Sequence, residues 1–301
     1  APDVKSIYNI PQTFEEQNLS SIMLKRFEME SKSSNLDAWN KMAKVQETAT
    51  KTVKIGVVGK YFESGDYTLS DSYISVIEAL KHAAWDNDAK VEMDWINSEE
   101  FEKDASKLEG LAAYDGVLVP GGFGTRGIEG VISTIKYCRE NKIPYFGICY
   151  GMQLACVEFA RNVLGKTNAH TVEVDESTED PIIHINPRQE ENVRQNRYGG
   201  TMRLGAYDCK MTDGSIAREA YGEDVVSERH RHRYEFNNDY KDALEENGMH
   251  ISGINPQSGL VEIVELKDHP FFVGMQFHPE FLSRPLRSHP LFKAFVKSAL
   301  T

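Results

Sequence analysis

The spacing of apolar residues changes character at Val53. Before it, two groups of apolar residues recur at helical spacing, one from Phe14 to Phe27 and one from Leu36 to Met42, with a polar Ser-Lys-Ser-Ser break between them. This pattern predicts two amphipathic helices. Because isolated helices of this length are marginal in water, their apolar faces are expected to pack on the main domain or on a partner.

From Val53 to Val163, short apolar runs alternate with stretches of helical periodicity. The apolar runs predict strands at 53–59, 91–96, 116–119 and 144–148. The intervening stretches predict helices that begin at a capping Asp71, pass through Leu108 and Leu111, and cover 128–137 and 150–163. Strands and helices that alternate in this way predict a parallel sheet with right-handed crossovers.

Beyond residue 170 the pattern predicts short strands with fewer helices, at 182–185, 201–204, 260–266 and 271–277. The polar stretch 186–200 predicts a mobile loop. The sequence therefore predicts an α/β fold with a mostly parallel central sheet, flanking helices and a mixed sheet extension, preceded by a helical linker. We place the domain boundary between residues 52 and 53.

Composition and charge exclude several classes of partner. The net charge of −12 argues against nucleic acid, whose phosphates the chain would repel, and no apolar run reaches the roughly 18 to 20 residues needed to cross a bilayer. The four cysteines show neither metal-ligand spacing nor a disulfide pattern. We therefore expect a cytoplasmic protein with no metal site and no membrane partner.

Cys149 is the candidate nucleophile. It lies in Gly147-Ile-Cys-Tyr-Gly151, which follows an apolar strand and opens a helix, as in the nucleophile elbow of α/β hydrolases. The glycines are expected to permit the sharp turn and leave the thiol accessible, and the helix N-terminus favours the thiolate. Cys138 and Cys156 lack this context and are predicted to be core residues.

An oxyanion hole and a base complete the predicted site. The loop 120–124, Pro-Gly-Gly-Phe-Gly, follows the neighbouring predicted strand, and we assign the backbone N–H groups of Gly122 and Tyr150 as oxyanion donors. His278 follows the last predicted strand, and Pro279 fixes a turn that lets Glu280 orient the imidazole. The sequence thus predicts a Cys149, His278 and Glu280 triad.

These three motifs together resemble the triad-type, class I glutamine amidotransferases. Further motifs resemble the amidotransferase part of the CTP synthase family in particular: Gly199-Gly-Thr-Met-Arg-Leu-Gly205, Glu228-Arg-His-Arg-His-Arg-Tyr234, His278-Pro-Glu-Phe-Leu-Ser283, Val58-Gly-Lys-Tyr61 and Ser6-Ile-Tyr-Asn-Ile-Pro11. The resemblance covers the whole chain. Tyr150 departs from it, since a leucine is expected after the nucleophile.

The resemblance implies roles that the residues alone do not establish. Gln153, Glu173 and Arg233 would bind L-glutamine together with Gly122, and Phe123 would help to place GTP, the allosteric activator of the family. Residues 1–52 would be the end of a synthetase domain and the interdomain linker. That domain, which is absent from this chain, would use ATP, Mg²⁺ and UTP, and the full enzyme would be a homotetramer.

The resemblance implies glutamine hydrolysis through a glutamyl thioester, with ammonia passed on for the ATP-dependent amination of UTP to CTP. This chain itself would need no cofactor. Two alternatives stay open at the level of sequence. One is a free-standing γ-glutamyl hydrolase of the same fold, and the other is a regulatory module without catalysis.

Overall fold

A computed structural model describes residues 3–4, 6–30, 35–60, 63–64, 67–68, 73–185 and 202–301. The predicted loop 186–200, the capping Asp71 and residues 199–201 of the glycine-rich motif lie outside these described residues. Among the described residues, no helix is both long and apolar enough to cross a membrane.

The strands, in chain order, are β1 (Lys51–Gly59), β2 (Glu63–Ser64), β3 (Tyr67–Thr68), β4 (Ala89–Asn97), β5 (Gly116–Val119), β6 (Tyr145–Ile148), β7 (His170–Thr171), β8 (Pro181–Ile185), β9 (Arg203–Met211), β10 (Val225–His232), β11 (Tyr234–Phe236), β12 (Met249–Ile254), β13 (Val261–Leu266) and β14 (Phe272–Met275). The α-helices are α1 (Ile10–Glu16), α2 (Leu19–Arg26), α3 (Asp37–Thr48), α4 (Ile74–Asp86), α5 (Glu99–Lys103), α6 (Ile128–Asn141), α7 (Tyr150–Asn162), α8 (Ile216–Tyr221), α9 (Lys241–Glu246) and α10 (Pro290–Ala299). Short 3-10 helices cover Ile7–Asn9, Ala105–Ala113, Asn238–Tyr240 and Pro279–Phe281.

The central sheet has nine strands within the described residues, in the order β10-β9-β12-β13-β14-β6-β5-β1-β4. From β14 to β4 every pairing is parallel, which confirms the predicted α/β arrangement. The strands β1, β4, β5 and β6 lie within two residues of their predicted bounds. The register pairs Val119 of β5 with Gly147 of β6, so the loop after β5 lies beside the turn that carries Cys149.

The other half of the sheet is antiparallel and forms the mixed extension. Here the sequence prediction was incomplete, because β9 is nine residues long and strands β10 and β12 were not predicted. In β10 the charged run alternates buried and exposed positions, with His230 and His232 buried and Arg229 and Arg231 exposed. That period of two is the strand signal, which the charges obscured.

Helices cover both faces of the sheet. One apolar cluster joins the sheet to α6 and α7, and the other joins it to α4 and α10. Strands β5, β6 and β14 are therefore buried on both sides, as their continuous apolar sequences predict. This two-sided burial holds the carboxyl ends of β5, β6 and β14 in fixed positions at one edge of the sheet.

The first predicted N-terminal helix is interrupted. It is divided into α1 and α2 at Asn18, whose φ of 54° lies in the left-handed region that ends regular helix. Tyr8 packs on Trp39 of α3 and Trp85 of α4, which attaches the N-terminal segment to the domain. In contrast, several large apolar side chains of α2 and its flanks are exposed: Ile22, Met23, Phe27 and Met29.

Candidate active site

Cys149 lies at the junction of β6 and α7, at the N-cap of the helix. Its φ of 50° and ψ of −95° are unusual for a residue with a side chain, and its N–H donates to the carbonyl of Met275 on β14 at 2.6 Å. Such strain persists only where the surrounding structure enforces it. Here β14 holds the backbone through this hydrogen bond, and the N–H of Gln153 on α7 donates to the Cys149 carbonyl at 3.1 Å.

Glycine is required on both sides of Cys149 for a different reason from the one predicted from the sequence. Neither has a positive φ, and Cys149 itself adopts the strained backbone. A Cβ on Gly151 would lie 2.5 Å from the Val119 carbonyl oxygen, and one on Gly147 would lie 2.8 Å from the Gly151 carbonyl carbon. The glycines therefore allow close packing of α7 against β5 and β6, which places the helix N-terminus behind the thiol.

His278 faces this thiol, three residues beyond the end of β14. Its Nδ1 lies 2.7 Å from Oε1 of Glu280, which the 3-10 helix Pro279–Phe281 turns back toward the ring. The hydrogen bond to Glu280 leaves Nε2 as the nitrogen available to Cys149. Both His278 and Glu280 are buried, so the contact is shielded from solvent.

The charge state of His278 follows from competing effects. Burial alone would lower its pKa, but the Cys149 sulfur and the Glu280 carboxylate outweigh burial and raise the pKa to about 10. The imidazole is therefore protonated at neutral pH and can pair with a thiolate or donate a proton to a leaving group. The three residues predicted as a triad are thus brought together in the geometry of nucleophile, base and orienting carboxylate.

The loop that follows β5 forms the opposite wall. The candidate oxyanion donor Gly122 faces Tyr150, since a Cβ added to Gly122 would be 3.6 Å from Cδ1 of that ring. Gly121 approaches the catalytic groups still more closely. A Cβ there would be 2.7 Å from Cε1 of His278 and 3.7 Å from Cβ of Cys149. Gly121 is not among the site residues predicted from the sequence, although the Gly-Gly pair was its signal.

The phenol of Tyr150 points away from the thiol and holds this loop. Its hydroxyl donates to the Gly124 carbonyl at 2.8 Å, and the same carbonyl accepts a hydrogen bond from Lys60 Nζ at 2.9 Å. A cavity lies on this side of the loop, lined in part by Lys60, Tyr73 and Arg126. Gly121, Gly122 and Tyr150 also line this cavity, whereas Cys149 and His278 do not, so it adjoins the candidate oxyanion donors.

The predicted glutamine-binding residues occupy different environments. The Glu173 carboxylate accepts from the Gly124 N–H at 3.1 Å; burial raises its pKa, while that hydrogen bond and the charges of Lys60 and Arg233 oppose the rise. Arg233 is exposed just after β10, and Phe123 is 66% exposed on the loop. The charge of Arg233 acts on the Glu173 carboxyl, so these two side chains lie in the same part of the structure.

Gln153 lies deeper than a substrate-binding role alone would require. It is buried on α7, and its Nε2 donates to the Tyr234 carbonyl at 3.0 Å and to Oε1 of Gln276 at 3.1 Å. Gln276 in turn places its own Nε2 3.5 Å from the Cys149 sulfur. Sequence reasoning missed Gln276, whose only signal is its position two residues before His278. Within the described residues, no group of three or more His, Cys, Asp or Glu side chains is arranged to hold a metal ion.

We expect Gly121→Ala to lower the rate at which a glutamine-analogue electrophile labels Cys149, by about tenfold or more. The new methyl group would overlap His278 and displace the ring from the thiol, and small misplacements of this kind cost up to about 10² in rate. Gly110→Ala is the matched control, because a Cβ at Gly110 has no heavy atom within 4 Å. Equal labelling rates in the two variants would show that a methyl group at position 121 does not disturb the placement of His278 against Cys149.

Comparison with known proteins agrees with the fold. Residues 68–298 match the family Glutamine amidotransferase class-I. The glutaminase domain of Trypanosoma brucei CTPS, solved with bound acivicin, is 35% identical with a TM-score of 0.75, over 82% of this chain and 93% of that one. The chain therefore belongs to the class I glutamine amidotransferase family.

Within that family, the chain is similar to CTP synthases. It is 48% identical to CTP synthase of Bacillus licheniformis over 300 residues, and 48% identical to CTP synthase of Staphylococcus aureus over 299 residues. These matches cover 100% and 99% of this chain but 54% of each relative. The chain thus spans about half the length of the curated relatives it matches.

Proposed function

We propose that this chain is the glutamine-hydrolysing part of a CTP synthase, with Cys149 as nucleophile. The observation that supports this most strongly is the strained, helix-capping position of Cys149 beside a His278 and Glu280 pair. The 35% identity to a glutaminase domain over 93% of that domain points to the same reaction.

The proposed reaction begins when the Cys149 thiolate attacks the side-chain amide carbon of L-glutamine. A C–S bond forms, and the N–H groups of Gly122 and Tyr150 donate to the developing oxyanion. Protonated His278 gives its proton to the leaving nitrogen, and the C–N bond breaks to release ammonia and leave a glutamyl thioester. His278 then removes a proton from water, which attacks the thioester, releasing glutamate and the thiol.

The substrate's polar head would lie at the rim of the site. The carboxylate of Glu173 suits the ammonium of glutamine and the guanidinium of Arg233 suits its carboxylate, and their mutual proximity supports one binding site. Gln153 would contribute from below, through the part of its amide that does not bond Tyr234 and Gln276.

The wider enzyme is part of the same proposal. Ammonia would pass to a synthetase domain of the same polypeptide, which would use ATP and Mg²⁺ to aminate UTP to CTP, in a homotetramer. Residues 1–52 would be the end of that domain and the linker; the exposed apolar side chains of Ile22, Met23 and Phe27 support a buried position there in the complete protein. The four cysteines are free, as catalysis by a reduced thiol in the cytoplasm requires.

GTP is the proposed activator. The residues present suit a nucleotide, since Lys60 and Arg126 line the cavity behind the loop and the Phe123 side chain is exposed nearby. Bound there, GTP would supply phosphate charge to these cations and a base that can stack on an aromatic ring. Because Lys60 donates to the Gly124 carbonyl, its response to an anion would reach the loop that carries Gly122.

The proposed function is tested by incubating the purified chain with L-glutamine and measuring glutamate and ammonia, with and without GTP. Equal amounts of both products are expected. No CTP is expected from UTP, ATP and ammonium, which bypass the glutaminase step. CTP formation would contradict the domain assignment, faster turnover of γ-glutamyl peptides would favour a free-standing hydrolase, and no turnover under any condition would favour a module without catalysis.

A further inference from the structure

The Cys149 sulfur is the first member of a buried series of polar contacts, which we name the polar chain. Gln276 Nε2 lies 3.5 Å from Sγ, and Gln276 Oε1 accepts from Gln153 Nε2 at 3.1 Å. Gln153 Nε2 also donates to the Tyr234 carbonyl at 3.0 Å. The series continues on β10, and its members are Cys149, Gln276, Gln153, Tyr234, His232 and His230.

The backbone carbonyl of Tyr234 fixes the direction of every bond in this series. A carbonyl oxygen can only accept, so the atom of Gln153 that faces it must be the amide nitrogen. That nitrogen also faces Gln276, whose nearest atom must therefore be its carbonyl oxygen. The other end of the Gln276 amide is then the NH₂ group, and it faces the Cys149 sulfur. The orientation of the Gln276 amide is thus determined by the Tyr234 carbonyl, through Gln153.

The same carbonyl orders the histidine side of the polar chain. His232 Nδ1 lies 3.0 Å from it and must carry the proton, so in neutral His232 the Nε2 atom accepts from His230 Nδ1 at 2.8 Å. Burial lowers the pKa of His232 to about 3 and holds it neutral. The Tyr234 oxygen thus accepts from both His232 and Gln153, and an exchanged Gln153 amide would place its own oxygen against this acceptor.

Burial makes these orientations hard to reverse. Gln276 and His230 have no exposed surface and Gln153 is 3% exposed, so a misdirected amide could not bond to bulk water instead. A buried polar group left without a partner costs about 1 to 3 kcal/mol. The N–H group that faces the sulfur is therefore positioned before any substrate arrives.

We propose that Gln276 is a catalytic residue: its side-chain amide donates a hydrogen bond to the Cys149 sulfur and stabilises the thiolate, and Gln153 holds that amide in the donating orientation. This deepens the proposed glutamine hydrolysis and rests on it. A donor at the sulfur favours the charged form, and it adds to the effect of His278. Gln153 then acts as a positioning residue, since it reaches the sulfur only through Gln276.

The proposal also accounts for the polarity of Gln276. Its neighbours Met275 and Phe277 are fully buried apolar residues, and a third apolar side chain would fill the same space without any requirement for a partner. A buried amide is favourable at this position if both its oxygen and its NH₂ group have hydrogen-bonding partners. One end accepts from Gln153 and the other reaches the sulfur.

The test is the pH dependence of Cys149 alkylation by iodoacetamide, followed by mass mapping on the full chain. His278 is the titratable side chain that faces the sulfur, with Glu280 acting through it, and both are kept in every variant. In Gln276→Met the midpoint pH is expected to rise by about one unit, so alkylation below the midpoint slows about tenfold. Gln153→Met should shift the midpoint in the same direction by less.

Gln257→Met is the matched control, because Gln257 is exposed in the turn after β12 and bonds Asp208. It is expected to leave the midpoint unchanged. A Gln276→Met protein with a lower melting temperature but an unshifted midpoint would overturn the proposal and leave Gln276 with a packing role. If that variant does not fold, the midpoint of Gln153→Met decides in the same way. Alkylation needs no glutamine, so failure of the unsubstituted chain to release ammonia would count against the proposed function alone.

Discussion

His278→Ala is expected to lower the rate of ammonia release from glutamine by about 10²- to 10⁴-fold, the usual contribution of a general acid–base group. The ring is the one described group placed both against the thiol and against an orienting carboxylate, 2.7 Å from Glu280. The measurement is steady-state release of ammonia from saturating glutamine. Glu280→Ala is expected to cost less, since in triad enzymes loss of the orienting carboxylate is roughly a hundredfold less severe.

The pH profile separates the two roles. Because His278 must be protonated to release ammonia, activity should fall as the pH rises through its pKa of about 10. Glu280 contributes to raising that pKa, so Glu280→Ala should move the alkaline limb to lower pH. His250→Ala, on β12 and away from the site, should leave rate and profile unchanged. If His278→Ala kept more than about a tenth of the activity, the acid–base group would lie elsewhere.

The parallel half of the fold could be predicted because a single requirement, burial on both faces, determines the residues of its central strands. Residues 116–119 and 145–148 are buried on both faces, so every position must be apolar and the strand bounds are visible in the sequence. In the antiparallel half, residues must be buried and, where they are polar, must also have hydrogen-bonding partners. In β10 the buried positions are filled by His230 and His232, which bond to each other and to the Tyr234 carbonyl in the folded chain.

The candidate site likewise contains residues that could be predicted from the sequence and residues that could not. Cys149 and His278 were identified because a strand-to-helix turn and a strand end constrain nearby sequence, and their roles can be inferred from local motifs. Gln276 and Gly121 could not be, since the role of each depends on a contact with a residue distant in sequence. Gln276 reaches Cys149 across 127 positions, and Gly121 is required to be small by the ring of His278, which lies beyond the end of β14.

Cys149→Ala is expected to abolish glutamine hydrolysis, with a loss of about 10⁶-fold in kcat, because the proposed acyl intermediate forms on the Cys149 sulfur. The matched controls are Cys138→Ala and Cys156→Ala. Burial raises the pKa of both thiols and keeps them uncharged, and neither has any exposed surface. Ammonia release should therefore persist in these two variants, apart from any loss of stability from the truncated side chain.

The covalent step can be read directly with an electrophilic analogue of glutamine. Mass mapping of the labelled, unsubstituted chain should place one adduct on Cys149, and Cys149→Ala should carry none. Cys209 is the informative internal control, because it is also buried with a raised pKa but lies on β9, in the antiparallel half of the sheet. Label on Cys209, Cys138 or Cys156 in place of Cys149 would contradict the assignment of the nucleophile. Label on Cys149 that disappears when His278 is replaced would instead tie the reactivity of the thiol to the ion pair, because the thiolate and not the thiol is the nucleophile.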